Sequence, residues 1–244
     1  MLTSWLRCRG YVIEENELNI VSQEKNLPGN GTSKGLYVSH LTCERGYREL
    51  FNDLSLTLSP GEILHIKGEN GAGKTSLLRI IAGLALPITG DISFDGYDCR
   101  KYRSEYNEQI AFMGHKLGIK LELTPVENIR SHCELSIPRS QQQILDALEK
   151  VGLYGFEEMY CNQLSAGQKR RVALAQIMLS DTKLWILDEP FTSLDVIGVR
   201  FFLKMIQQHV DNDGMVLLTT HQEVNLENCV TRYLNLPSGE VTNS

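Results

Sequence analysis

Apolar and polar positions alternate along Tyr37-Val-Ser-His-Leu-Thr42 and Leu54-Ser-Leu-Thr-Leu58, the period-two pattern of half-buried strands. A Pro60-Gly61 turn leads into a further strand, Glu62-Ile-Leu-His-Ile-Lys67. The period then changes. From Lys74 to about Leu84 the apolar residues Leu77, Leu78, Ile80, Ile81 and Leu84 recur at helical spacing. Asp91-Ile-Ser-Phe-Asp-Gly96 reads as a short strand closing in a turn, and Ile110-Ala-Phe-Met113 is strand-like. Between about 116 and 163 the character shifts: Ile144, Leu145, Leu148 and Val151 share one helical face, while Pro125 and Pro138 interrupt elsewhere. This predicts a mainly helical insertion. The alternation then resumes with a helix over about Ala166 to Leu179, a strand Leu184-Trp-Ile-Leu-Asp188, a helix over about Ile197 to Val210 and a strand Met215-Val-Leu-Leu-Thr-Thr220. The two strands are almost continuously apolar, as buried parallel strands are. Such alternation predicts an α/β domain, with a parallel-rich sheet covered by helices on both faces. No internal repeat is present. Ahead of it, the Asn26–Gly35 cluster of Gly, Asn, Ser and Pro reads as a linker, so residues 1–35 are expected to form a flexible tail and 36–240 the ordered domain.

Length and charge narrow the classes. The 244 residues suit one sizeable domain, or one with a small inserted lobe. A net charge of −6 gives no nucleic-acid footprint, which shows as a basic face, so no nucleic-acid partner is expected. No apolar run approaches the roughly 20 residues that span a bilayer, and the basic start lacks the apolar stretch of a secretory signal, since Glu14, Glu15 and Glu17 follow quickly. The six cysteines are scattered with no CxxC pair, which reads as a reduced, cytosolic chain. If the protein serves a membrane, it does so through a partner.

The chemistry begins at Gly68-Glu69-Asn70-Gly71-Ala72-Gly73-Lys74-Thr75, with Ser76 following. The run fits G-x-x-x-x-G-K-[ST] directly after a strand and opening a helix, the context this motif requires. Glycines let the backbone turn so that several N–H groups point inward, and with the helix N-terminus they make an anion site for phosphates. Lys74 supplies a positive charge to the β- and γ-phosphates, and the Thr75 hydroxyl a ligand for Mg²⁺. By chance this pattern arises in a chain of this size on the order of 1% of the time, and the strand–loop–helix context lowers that. Asp188 ends an apolar strand and Glu189 follows. An Asp-Glu pair alone is usually a solvated surface feature. At the C-terminal end of a buried strand it faces the crevice where open α/β sheets bind ligands, which places Asp188 to hold Mg²⁺ and Glu189 to polarise an attacking water.

Three further segments resemble the ABC family of ATPases. Leu164-Ser165-Ala166-Gly167-Gln168 resembles its signature sequence, although Ser165 read alone is equally an ordinary helix cap. Ser193-Leu-Asp195 resembles its D-loop, and His221 matches its switch histidine. The resemblance covers about residues 36–236 and implies a P-loop ABC ATPase domain: a mixed, mainly parallel sheet, an N-terminal antiparallel β subdomain and an inserted helical subdomain. It implies ATP and Mg²⁺ as ligands, and a second copy of the chain as partner. In that ATP-sandwich dimer Ser165, Ala166, Gly167 and Gln168 of one chain reach the phosphates bound by the other. Two departures stand out. Ala166 replaces the usual glycine, and Gly114-His115 occupies the place of the usual glutamine. For the adenine-stacking aromatic, spacing offers Arg45 or, two residues later, Tyr47.

The run from Met113 to Thr124 with Glu127-Asn128, Arg170-Arg171 after the signature, and Thr219-Thr-His-Gln222 narrow the resemblance to the ATP-binding subunit of the bacterial haem exporter of cytochrome c maturation. That implies a place on the cytoplasmic face of the inner membrane beside integral membrane subunits, with hydrolysis releasing a haem-loaded chaperone. Direct haem binding through Cys43, His40, His65 or His115 is not expected, because lone Cys and His residues are mostly packed or surface groups. Two alternatives stay open: an ABC transporter subunit with another cargo, and a soluble ABC ATPase of a cofactor-assembly system. A chromosome-handling ABC protein needs long coiled-coil insertions that this length does not hold.

Overall fold

The computed structural model describes residues 34–134, 137–222, 224, 226, 229–236 and 240–243. The expected N-terminal tail lies almost wholly outside the described residues.

Two sheets organise the domain. Strands β1 (Leu36–Arg45), β2 (Arg48–Leu58), β4 (Thr89–Phe94) and β5 (Tyr97–Asp98) form an antiparallel sheet in the order β2-β1-β4-β5. The second sheet runs β10-β9-β3-β8-β7-β6, built from β3 (Glu62–Lys67), β6 (Ile110–Met113), β7 (Leu184–Asp188), β8 (Met215–Thr219), β9 (Val230–Asn235) and β10 (Glu240–Asn243). Its neighbours are parallel throughout, save β10, which pairs antiparallel with β9. The helices are α1 (Lys74–Ile81), α2 (Arg103–Gln109), α3 (Pro125–Glu134), α4 (Gln141–Lys150), α5 (Ala166–Leu179) and α6 (Val196–Asp211).

The parallel sheet is covered on both faces. Successive residues of β7 feed two separate cores: Leu184 and Ile186 pack with α1 and the antiparallel sheet, while Trp185 and Leu187 pack with α3 to α6. Every residue of β7 and β8 is buried, which is why these strands read as unbroken apolar runs. On α6 the buried residues Gly198, Phe202, Met205, Ile206 and Val210 fall on one stripe.

The expected inserted lobe is helical only in part. Residues 114–124 contain no helix or strand. Pro125, expected to interrupt, instead opens α3 at the first-turn position where its missing N–H costs nothing. Thr124 and Glu127 cap that helix reciprocally: the Glu127 N–H donates to the Thr124 hydroxyl and the Thr124 N–H to the Glu127 carboxylate. Asn128, buried, accepts from the Lys120 N–H at 2.7 Å and donates to the Lys120, Leu123 and Thr124 carbonyls. One amide thus shapes the non-helical 120–124 segment. Elsewhere α1 stops at Ile81 rather than Leu84. Gly83 turns the chain with φ 68°, the Leu84 and Ala85 N–H groups fold back on the Arg79 carbonyl, and Leu84 is exposed. Strand β2 starts at Arg48, well before the alternation at Leu54, because hairpin pairing with β1 extends it.

The His209 imidazole on α6 stacks on Trp185, with ring centroids 3.9 Å apart and planes within 5°. Burial holds its pKa down to about 4 from the ordinary 6.5. The unfolded chain therefore takes up a proton near the ordinary value while the folded chain does not. Stability is fully present above that value and falls as pH drops from it towards about 4. Urea unfolding between about pH 7 and pH 5 should show a loss of about 1–2 kcal/mol from this group. His209→Phe keeps a ring on Trp185 and should lose correspondingly less over the same interval.

Candidate functional site

The C-terminal ends of four parallel strands deliver the candidate residues to one crevice edge, as expected for an open α/β sheet. Strand β3 runs into the loop 68–73, β6 into Gly114-His115, β7 ends at Asp188, and β8 ends at Thr219 before His221.

Gly73 caps α1 with φ 102°, a left-handed turn that sets the loop's backbone against Leu50 and Phe51. A Cβ there would lie 3.1 Å from the Leu50 Cβ. This conformation lets the loop close back on the start of the helix. The Lys74 ammonium folds over the loop and donates to the Gly68 and Glu69 carbonyls at 2.7 and 3.0 Å.

Asp188 is buried, and two hydroxyls from other elements hold its carboxylate. Thr75 donates to Oδ2 at 2.9 Å and Thr219 to Oδ1 at 2.8 Å. The register explains this, because Asp188 and Thr219 are paired partners at the ends of β7 and β8. Thr219 also takes the Glu189 N–H, at 3.1 Å on its hydroxyl and 3.1 Å on its carbonyl. Glu189 itself has φ 50°, a left-handed conformation uncommon outside glycine that clusters at functional sites. The His221 Nε2 lies 3.5 Å from the Glu189 Oε1, and both side chains retain solvent access. Thr75 and Asp188 together offer hard oxygen donors of the kind Mg²⁺ takes when substrate phosphates and water complete its shell. Among the described residues no cluster of three or more His, Cys, Asp or Glu exists that would hold a metal by itself.

Beside these groups lies a cavity of about 420 Å³, lined among others by His65, Lys67, Lys74, Thr220, His221 and Tyr233. From the other side α5 sends a buried guanidinium, Arg170. Burial lowers its pKa while Asp188 and Glu189 pull it back up, and one of its nitrogens sits 3.8 Å from the Met113 sulfur.

The segment 164–168 is both things that the sequence allowed. Ser165 caps α5: its hydroxyl accepts from the Gln168 N–H at 3.2 Å and the Gln168 side chain accepts from the Ser165 N–H at 2.8 Å. The helix N-terminus nevertheless stays exposed at Ser165 and Ala166. Gly167 passes so close to the 193–195 segment that a Cβ would meet the Ser193 carbonyl at 2.8 Å. Asp195 caps α6 through the Gly198 N–H at 2.7 Å and pairs with Arg171 at 2.8 Å. The two segments of this region are therefore tied to each other.

The model of the ABC transporter family matches residues 51–192. The cytochrome c biogenesis ATP-binding export protein CcmA of Histophilus somni is 45% identical over 190 residues, 78% of this chain and 88% of that protein. Its counterparts in Methylococcus capsulatus and Escherichia coli O157:H7 are 46% and 45% identical, covering 80% and 82% of this chain and 95% and 96% of theirs. The chain belongs to the ABC transporter family, among the cytochrome c biogenesis ATP-binding export proteins. The ATP-binding subunit of an ABC transporter superposes with a TM-score of 0.78 at 25% identity, over 86% of this chain and 90% of that one. An ATP-binding cassette solved as a dimer with ADP and Pi shares the fold, with a TM-score of 0.73 at 22% identity, over 86% and 97% of the two chains.

Within this ABC domain some predicted residues fall outside the constellation just described. Tyr47, at the tip of the β1–β2 hairpin, is fully exposed, and its neighbours Arg45 and Arg48 are exposed, though the Arg48 guanidinium reaches to the side of Gly71. His115 is exposed at the end of β6. Cys43 is buried, His40 pairs with Asp53 at 2.6 Å, and His65 bonds to the Thr220 carbonyl. Sequence reasoning missed Thr219 as a site residue. The signal was there: a hydroxyl residue ends an apolar strand otherwise identical in character to the one that ends in Asp188. Thr219→Val keeps the shape but removes the donor to Asp188 and the side-chain acceptor for Glu189. ATP turnover should fall about 10- to 100-fold, the worth of one hydrogen bond to a charged group, and Thr219→Ser should recover most of it in a steady-state assay.

Proposed function

We propose that the chain is the ATP-binding and hydrolysing subunit of an ABC complex in cytochrome c biogenesis, acting at the cytoplasmic face of the inner membrane with integral membrane subunits. The observation that carries the hydrolytic part of this reading is the Asp188 carboxylate gripped by Thr75 and Thr219 hydroxyls, with Glu189 held beside His221. Backbone N–H groups from Gly68 to Ser76 take the phosphates at the start of α1. Lys74 exchanges its two loop carbonyls for β- and γ-phosphate oxygens. Thr75 and Asp188 would hold Mg²⁺, which when bound would neutralise charge on the phosphates. Glu189, steadied by its N–H contacts to Thr219 and faced by His221, accepts the proton as water oxygen bonds to the γ-phosphorus and the bond to the ADP oxygen breaks. Tyr47 or Arg45 supplies the adenine platform, and His115 takes the place of the family's glutamine as a donor and acceptor on the membrane-partner side.

The chain carries one phosphate loop and one signature, so a full site needs a second copy. Ser165, Ala166, Gly167 and Gln168 then present an exposed helix N-terminus to the ATP of the partner copy, with Asp195 fixing the D-loop beside it. The names of the relatives support a role in cytochrome c biogenesis and export. In this reading hydrolysis drives release of a haem-loaded chaperone from its membrane complex.

Glu189→Gln should bind ATP normally but hydrolyse it about 100-fold more slowly or worse, as loss of a general base implies. Wild-type turnover by that variant removes Glu189 from the role. In the wild type, specific activity should rise with enzyme concentration in a dilution series, because two chains make the site. In cells, a chromosomal Lys74→Ala replacement at normal protein level should abolish covalent haem staining of c-type cytochromes. Normal staining with hydrolysis confirmed lost would leave the ATPase standing and redirect the cargo.

A further inference from the structure

We propose that His65 is a positioning residue for the switch histidine: its ring N–H holds the Thr220 carbonyl and so fixes the backbone from which His221 reaches Glu189. The proposal rests on the hydrolytic reading above and deepens it.

Thr220 lies just past the sheet. The β3–β8 ladder ends at Ile66 and Thr219, and the β7–β8 ladder at Asp188 and Thr219. Among the described residues neither ladder extends to the Thr220 carbonyl, and a side chain from the middle of β3 bonds to it instead. The His65 Nε2 is 3.0 Å from the Thr220 oxygen, across 155 residues of sequence. A carbonyl oxygen only accepts, so Nε2 carries the proton, and Nδ1 is left as an acceptor. That Nδ1 is buried and, among the described residues, has no hydrogen-bond partner. A residue serving only to fill this space would be apolar, because an unpaired buried nitrogen is a standing cost. The bond to Thr220 is the polar contact that offsets it.

The surroundings hold the ring in place. His65 is 3% exposed and sits between Leu218 on β8 and Tyr233 on β9 in register. Its ring is 5.5 Å from that of Tyr233, which also carries the Lys67 ammonium 3.7 Å from its centroid. The titratable groups facing His65 are Lys67 on its own strand, Tyr233 on β9, His221 beyond β8, and Lys74 across the shared cavity. Burial lowers the pKa of His65, the bond to the Thr220 carbonyl opposes that shift, and repulsion from Lys67 and His221 adds to it. Beyond Thr220 the Gln222 N–H donates to the Thr220 hydroxyl at 3.0 Å, a local contact that ties the start of the loop. The side chain of His221 then stands 68% exposed at the cavity edge. Its aim at Glu189 depends on where Thr220 is held.

The test uses the full chain and steady-state ATP hydrolysis, with His65→Leu, His65→Gln, His221→Ala and the His65→Leu/His221→Ala pair. His65→Met serves as a second apolar replacement should leucine impair folding. The apolar variants should lower kcat about 5- to 30-fold, the effect of 1–2 kcal/mol, with KM for ATP changed less than about 2-fold. His65→Gln, whose amide can donate to the same carbonyl, should recover most of the rate. In the His221→Ala background the leucine change should add nothing, because its effect passes through His221. Unchanged kcat in both apolar variants, a glutamine variant no better than them, or multiplicative losses in the pair would each overturn the positioning role while leaving the ATPase reading intact. Absence of hydrolysis in the wild type would instead remove the reading on which this one rests.

Discussion

A carboxylate at the end of a fully buried strand is the constraint around which this domain is arranged. Asp188 is 4% exposed, and an ionised group so placed costs several kcal/mol unless its oxygens are satisfied. The chain meets that demand with one hydroxyl from the first turn of α1 and one from the end of β8. Those two bonds join the start of α1, the end of β7 and the strand that leads to His221 into one unit. Thr219 extends the unit by accepting the Glu189 N–H, which keeps that residue in a left-handed conformation it would not hold unaided. Arg170 brings positive charge towards the same carboxylates from α5.

The sheet makes this arrangement possible because it is buried on both faces. Alternate residues of β7 enter opposite cores, so the strand cannot slip by one residue without exchanging Leu184 and Ile186 for Trp185 and Leu187. A register locked this firmly fixes Asp188 opposite Thr219. Precision at the site is thus inherited from packing well away from it.

Outside the phosphate loop, polar chemistry gathers at helix starts. Reciprocal caps open α3, α4 and α5, and Asp195 opens α6. At α5 and α6 the caps fall on residues that the family resemblance marked as functional. Capping and ligand contact do not compete there. A Ser165 hydroxyl that accepts from Gln168 still has its own proton to give, and the same cap that stabilises α5 leaves its N-terminus facing solvent. The Arg171–Asp195 pair links the two helix starts, so the signature and D-loop segments are anchored to each other.

The amino-acid sequence determined the elements whose signal is local. The strand Leu184–Asp188, the helix Ala166–Leu179 and the strand, glycine loop and helix start around Lys74 lie where the local signals put them, although the helix opened by Lys74 ends at Ile81, short of the expected Leu84. Lys74, Asp188 and Glu189 stood out as candidates because residue type and position within such elements imply the chemistry, and the structure brings them to one crevice edge. Weakly amphipathic pieces were not legible. Helix α2 has one buried residue, Tyr106, and β9 and β10 gain their identity by pairing with β3 and with each other. Residues 116–124 fell within the stretch expected to be mainly helical, but Asn128 holds part of them in an irregular path through bonds that no periodicity records. Thr219 and His65 were hidden for the same reason. Each matters through a partner distant in sequence, Asp188 for one and Thr220 for the other. Local pattern decides where a strand or helix forms, because it depends on neighbours along the chain. Which hydroxyl meets which carboxylate is decided only when packing brings separate elements into register.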